Sequence, residues 1–396
     1  MSAINILRTV EETLAATRFI DIHTHLFPAS FGRLGLWGID ELLTYHYLEA
    51  ELFRFSPITP PQYFALAKPQ RADLIWRTLF VDNSPVSEAA RGVVAVLHAL
   101  GLDACQRDLS VLRQFFREQD PADYFPRVIR LAGIDTVVMT NDPLDPAEDP
   151  YWCPDAARDP MFHAALRLDR IVNDPGNRQA PSEVRRFLDD WSARMKPLYM
   201  AVSLPDTFQY PLDDARTRLL AEAVIPACTD LRIPLSLMIG VRRQVNPAIG
   251  LAGDASGRAD LRCLERLCTQ FPDQRFLVSM LSRENQHELC VYARKFSNLM
   301  PFGCWWFLNN PSMVEEITRE RIEMLGMSFI PQHSDARVLE QVIYKWRNTR
   351  RTLAPILAKS YQLLAEDGRP VNRDDIHRDI TRLFRTNFEE WTGLRS

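Results

Sequence analysis

Arg18-Phe19-Ile20-Asp21-Ile22-His23-Thr24-His25 starts as a short apolar run and ends on two histidines one residue apart. In an extended strand alternate side chains face the same way, so His23 and His25 present two imidazoles to one point. Seven further apolar runs follow: DTVVMT (135–140), ALRLDRI (165–171), PLYMAVSL (197–204), PLSLMIG (234–240), QRFLVSM (274–280), LMPFGCWWF (299–307) and SFIPQH (328–333). Most are near-continuous rather than alternating, as expected of strands covered on both faces. Between most of them lie helical stretches such as DARTRLLAEAVIPACTDL (214–231) and SMVEEITRERIEMLG (312–326), with Gly326 as a stop for the second. Strand alternating with helix predicts a parallel sheet, and eight such units predict a closed (β/α)8 TIM barrel.

The spacing is uneven. Neighbouring runs mostly lie about 25–40 residues apart, but over 100 residues separate the first two. Segment 35–121 is helical in pattern, with DLIWRTLF and VVAVLHALGLD as apolar blocks. It predicts a helical insertion after the first strand, on the catalytic face. The last fifty residues read as closing helices. No internal repeat, low-complexity tract or long linker is present, so residues 1–396 are expected to form a single domain.

The 396 residues are 46% hydrophobic and 25% charged, which excludes a disordered or fibrous chain. A net charge of −4 argues against a broad footprint for nucleic acid. No apolar run approaches the ~20 residues that span a bilayer, and MSAINILRTVEETLAATRF reads as neither a signal peptide nor a membrane anchor. Seven cysteines without a CxxC do not make a disulfide framework, so the chain is expected to be cytoplasmic and reduced. GDASG (253–257) is a flexible turn rather than a phosphate loop, and no GxSxG elbow occurs.

Chemistry concentrates at the strand ends. His23 and His25 suit a divalent metal, for which neutral imidazole is a standard ligand. The last run continues as Gln332-His333-Ser334-Asp335-Ala336-Arg337. Once a barrel closes, its last strand lies beside its first, so Asp335 can reach a metal on His23 and His25 or act as a base next to it. The plainer reading of Asp335 is the N-cap of a helix starting near Val338. His333 is either a polar wall of the site or a core histidine. Arg167 and Arg337 could clamp a carboxylate through bidentate hydrogen bonds, or form surface salt bridges. Trp305 and Trp306 read as barrel packing, and alternation lets only one of them face inward. His46 and Tyr47 lie in the insertion, where a loop can fold over the barrel mouth. His98, His163, His287 and His377 read as structural or surface residues.

HxH after the first strand and Asp after the eighth resemble the amidohydrolase superfamily. Further segments resemble one branch of it, the uronate isomerases. FIDIHTHLFP is similar to that family's opening strand, and His46-Tyr47 resembles its His-Tyr substrate motif. MTNDPLD (139–145) resembles its Thr-Asp-Asp-Pro segment, and Arg167-Leu168-Asp169 its Arg-Pro-Asp. Gly303-Cys304-Trp305-Trp306-Phe307 resembles its Gly-Trp-Trp-Phe, and Ser334-Asp335-Ala336-Arg337 its Thr-Asp-Ser-Arg. These segments touch both ends of the chain and most strands, in order. At the end of the fifth strand, where the family carries histidine, Leu237-Met238-Ile239-Gly240 stands here. Lys196 precedes the fourth run and falls at the wrong end to bridge two metals. At most one metal is expected, on His23, His25 and Asp335.

The resemblance implies an aldose–ketose isomerase acting on a hexuronate: D-glucuronate to D-fructuronate, or D-galacturonate to D-tagaturonate. It implies one divalent metal, with zinc the expected ion, a small sugar-acid partner and a homo-oligomer. Asp335 would be the base, with Tyr47 or His46 shuttling protons. Arg167, Arg337, Trp305, Trp306 and His333 would bind substrate. Two other readings compete. One is a mononuclear hydrolase or decarboxylase of the same superfamily acting on another carboxylate, which Met238 keeps open. The other is a degenerate barrel that binds without catalysis, against which His23, His25, Asp335 and Arg337 together argue.

Overall fold

The computed structural model describes residues 5–153, 158–174, 176 and 179–394. Seven parallel strands form a curled sheet in sequence order: β1 (Phe19–Thr24), β2 (Ile134–Asn141), β3 (Phe162–Arg167), β4 (Met200–Pro205), β5 (Leu235–Arg242), β6 (Phe276–Met280) and β7 (Leu299–Pro301). A two-residue antiparallel strand, Ala255–Ser256, adds to the end of β5. Helices separate most of the parallel strands, as the near-continuous apolar runs require. One strand face buries side chains within the curl, among them Ile20, Ile22, Val138, Ala165, Tyr199, Ala201, Met238, Leu277, Met300 and Ile330. The other face packs on the helices. Phe388, from the helix Asn387–Thr392, joins the inner cluster.

Three of the predicted runs differ in detail. β3 starts three residues before the run at 165–171 and ends at Arg167; the apolar residues beyond it, Ile171 and Val172, belong to the short helix Asp169–Val172. An apolar run alone does not distinguish these two ways of burying side chains. The seventh run, 299–307, is strand only to Pro301, because Gly303 turns with φ +63°. Glycine is required there: a Cβ would sit 2.6 Å from Cδ2 of His333.

The eighth run is not a regular strand. Pro331 removes a ladder donor within it, yet the segment bonds to both edges of the sheet. Gly303 N donates to Ile330 O at 2.8 Å and Ile330 N to Pro301 O at 3.0 Å. On the other side Asp335 N donates to His23 O at 3.2 Å, and His25 N to Ala336 O at 2.7 Å. Side chains hold this irregular stretch. Gln332 Oε1 accepts from Cys304 N and His333 N, while Asn309 Nδ2 donates to the carbonyls of His333 and Ser334. Below it the buried Asp21 carboxylate accepts from Ser334 N and Trp346 Nε1.

Between β1 and β2 the chain is helical, as the pattern at 35–121 predicts, with helices that include His46–Phe55, Lys68–Trp76, Glu88–Ala99 and Ser110–Arg117. Asp120 caps the next helix, Pro121–Ala132, which ends at Gly133 in the left-handed conformation and leads into β2. The start of this helical region docks on the loop after Asp335. Leu339 N donates to Leu36 O, and Glu340 Oε1 accepts from Gly38 N and Tyr124 Oη, each at 3.0 Å.

Candidate active site

The C-terminal ends of the strands converge on a cavity lined by His23, His25, Tyr45, His46, Thr140, Arg167, Asp169, Ala201, Ser203, Met238, Arg243, Trp305, Trp306, Asp335 and Arg337. The β1–β2 pairing slips by one residue here: Asp21 pairs with Val137 but Thr24 with Met139. The extra residue on β1 falls where His23 must be aimed. Beyond the slip, Thr24 Oγ1 donates to Val138 O at 3.0 Å and Thr140 Oγ1 to Thr24 O at 2.7 Å, so hydroxyls take over from the ladder.

His23 Nε2 lies 3.8 Å and His25 Nε2 3.4 Å from the same oxygen, Asp335 Oδ1. That oxygen is buried and accepts no hydrogen bond from the described residues. Burial pushes the His23 imidazole down to about 3, and burial together with Arg337 and Arg167 holds His25 well below the usual range. Both rings are therefore neutral near pH 7, and their Nε2 atoms and Asp335 Oδ1 face one another across a shared space. A divalent cation resolves that arrangement: tetrahedral zinc with bonds of about 2.0–2.2 Å sets its ligands roughly 3.3–3.6 Å apart. Among the described residues these three form the only such cluster. Asp335 holds φ +52° and Trp306 +48°, so two cavity residues sit in the left-handed region that side chains seldom adopt.

The basic groups are unequal. Arg167 is committed to Asp169, with Nε donating to Oδ2 at 3.0 Å and a second bond to Oδ1 at 3.4 Å. Arg243 pairs with the buried carboxylate of Asp254 and reaches over the Trp306 ring. No carboxylate or carbonyl among the described residues engages the Arg337 guanidinium.

Tyr45 and His46 bring the helical region between β1 and β2 into the cavity. His46 opens the helix His46–Phe55, its ring 6.1 Å from that of Trp306. Its Nε2 is buried without a partner, and burial, reinforced by Arg337, lowers its pKa to about 3. Tyr47 does not line the cavity; its ring lies behind, 4.6 Å from that of His46 and under the Lys345 ammonium. His333 stands outside the cavity wall too, fully buried between His23 and Phe302 with neither ring nitrogen bonded.

Trp305 and Trp306 both line the cavity, against the expectation from alternation that one would turn away. The strand has already ended at Pro301, so its period of two does not apply, and the left-handed turn at Trp306 brings the second ring in. Met238 lines the cavity in register with Ser203 and Ser279, at the position expected from the sequence. Tyr45, Ser203 and Arg243 escaped the sequence reading. Arg243 alone carried a usable signal, as a cation just past the Gly240 break at a strand end, where barrel sites are built.

No protein-family model and no curated protein matches the chain. Among solved structures, a uronate isomerase from Bacillus halodurans is 46% identical over 100% of this chain and 98% of its own, with a TM-score of 0.96. A uronate isomerase from Thermotoga maritima is 14% identical, with TM-score 0.78 and coverage of 98% and 97%. The glucuronate isomerase of Caulobacter crescentus is 14% identical, with TM-score 0.76 and coverage of 99% and 94%. At that identity these last two share the fold.

Proposed function

This chain belongs to the uronate isomerase family, and from that premise we propose that it interconverts the aldose and ketose forms of a hexuronate: D-glucuronate with D-fructuronate, or D-galacturonate with D-tagaturonate. The observation that carries the chemistry is the meeting of Asp335, His46 and the unengaged Arg337 in one cavity. The mononuclear hydrolase or decarboxylase reading that Met238 keeps open gains no comparable support, because the solved structure 46% identical over the whole of this chain is a uronate isomerase.

Isomerisation of the open-chain sugar moves one proton from C2 to C1 through an enediol. Asp335 takes the C2 proton; the C–H pair becomes the C1–C2 double bond, and the C1 carbonyl oxygen gains the proton that the C2 hydroxyl gives up. His46, neutral and with a free Nε2, relays that one proton from the C2 oxygen to the C1 oxygen. Asp335 then returns its proton to C1 as the C2 carbonyl forms, and the acid and base end unchanged. Arg337 binds the distal carboxylate through its planar fork. Arg167, held by Asp169, and Arg243 meet hydroxyls, while Trp305 and Trp306 wall the sugar. Tyr47 supports His46 from behind.

His23, His25 and Asp335 would hold one divalent metal, and zinc suits two imidazoles and a carboxylate. When bound it supplies Lewis-acid polarisation of sugar oxygens. The seven strands with segment 328–336 as an eighth stave make a (β/α)8 barrel of amidohydrolase type. Residues 35–121 form an insertion covering its catalytic face, and the whole is one domain. The enzyme works in the cytoplasm as a homo-oligomer; its seven cysteines are free, and no described helix is long and apolar enough to cross a membrane.

The test is proton NMR of the zinc-loaded protein with D-glucuronate and, separately, D-galacturonate in D2O. Ketose signals are expected from at least one sugar, and the faster one identifies the substrate. No conversion of either, with metal bound near one equivalent, would overturn the reading.

A further inference from the structure

Tyr199 is fully buried inside the curl of the sheet, next to the start of β4, and no part of it lines the cavity. A buried phenol is costly unless its hydroxyl is bonded, and this one has two contacts, both on β1. Its oxygen lies 2.7 Å from the Ile22 carbonyl and 3.2 Å from Nδ1 of His23. A hydroxyl has a single hydrogen. The carbonyl can only accept, so the hydrogen goes to Ile22 O along the shorter contact. The phenol oxygen then turns a lone pair to His23, and Nδ1 must carry the hydrogen that fills that contact. A neutral imidazole has only one N–H, so Nε2 is bare.

The opposite tautomer has nothing to donate to. Nε2 of His23 is 3.8 Å from Asp335 Oδ1, beyond hydrogen-bond reach. We propose that Tyr199 is a positioning residue that fixes the tautomer of His23, so that Nε2 offers its lone pair to the space shared with His25 and Asp335. Resting on the metal reading above, this assigns a hydrogen-bonding role to a residue 176 positions along the chain from its partner. The slip in the β1–β2 pairing brings His23 to the phenol, and the rigid four-strand span from β1 to β4 holds it there. Partners that orient a ligand in this way typically change metal affinity 10–100-fold when removed.

The first measurement needs neither metal nor turnover. In metal-free protein labelled with 15N-histidine, two-bond proton–nitrogen correlations near pH 7.5 report which ring nitrogen is protonated. The His23 signal is assigned by its loss in His23→Asn. The wild type is expected to show the Nδ1–H form; an Nε2–H form would overturn the proposal without any variant. Tyr199→Phe is expected to populate the other tautomer and to weaken zinc binding about 10–100-fold in competition with a chelator. A dissociation constant within twofold of wild type, or an unchanged tautomer in that variant, would also overturn it. Zinc binding with the expected tautomer but no hexuronate turnover would sink the proposed function and leave Tyr199's role standing. Failure of the wild type to bind zinc would remove the metal reading and Tyr199's role with it, and leave the proposed function to the turnover test.

Discussion

Arg167, the last residue of β3, and Asp169, which opens the helix Asp169–Val172, lock together through two hydrogen bonds, 3.0 and 3.4 Å long. The pair keeps one guanidinium rigid and spends its charge within the protein. Arg337, across the cavity, has no such partner, and a buried or half-buried cation without one is poised for a ligand.

Arg337→Lys should therefore raise KM for the hexuronate about 10–100-fold while lowering kcat less. A lysine keeps the charge but cannot reproduce the two-pronged grip on a carboxylate. Steady-state kinetics decide this. An unchanged KM would place the carboxylate elsewhere.

Asp335→Asn should fold normally, because asparagine tolerates the left-handed backbone that Asp335 adopts at φ +52°. Loss of the proton acceptor should lower kcat about 10²–10⁴-fold. The same variant should bind zinc more weakly, since Oδ1 is the oxygen on which both histidines converge. Activity near wild type would eliminate Asp335 as the base.

Met238→His should be tolerated, with kcat within tenfold of wild type. The new ring would find a hydroxyl: Ser279 stands in register beside Met238 with an unbonded Oγ. Turnover well above wild type would show that Met238 limits this enzyme, whereas loss of the folded state would show that the cavity depends on an apolar side chain there.

The stability that Glu340 supplies should be lost as pH rises from about 5 to 8, while the buried histidines with lowered pKa values act in the opposite direction up to about 6.5. Burial pushes the Glu340 carboxyl from an ordinary 4.5 up to about 7. A group raised in the folded state stabilises below its unfolded pKa and loses that contribution as pH climbs through its folded pKa. The loss from Glu340 is roughly 3 kcal/mol at most. Glu148, raised by burial to about 7, and Asp21, raised by burial to about 6, act in the same direction. In urea unfolding across this range, Glu340→Gln should gain stability relative to wild type as pH rises. An identical pH dependence would mean that Glu340 is not buried as a neutral acid.

The ends of the cavity were legible because they rest on local patterns. Two histidines one residue apart, followed by an aspartate after the last apolar run, need only strand geometry and closure to be brought together. Residues 35–121 read as helical for the same reason, since their apolar blocks repeat locally. Curvature of the whole sheet decides the rest. Arg243 and Ser203 enter the cavity from the ends of β5 and β4, and Tyr45 from the N-cap of the helix His46–Phe55, positions that no local pattern brings together. Trp306 was misread for a local cause: a run that looked like strand through 307 stops at Pro301, and alternation was counted along residues that turn. Tyr199 carried no motif at all. Its partner lies three strands away in the sheet, and a lone tyrosine in an apolar run looks like packing.

The segment that joins β7 back to β1 also sets an order of events in synthesis. His23 and His25 emerge from the ribosome about 310 residues ahead of Asp335. At ~5–20 residues per second that is roughly 15–60 s during which the two imidazoles have no third ligand and the edge of β1 has no closing neighbour. On the proposed metal reading, the site is then complete only once the last segment has been made. A nascent or prematurely terminated product would hold metal loosely and expose two unpaired sheet edges, the surface by which a quality-control protease or holdase would know it.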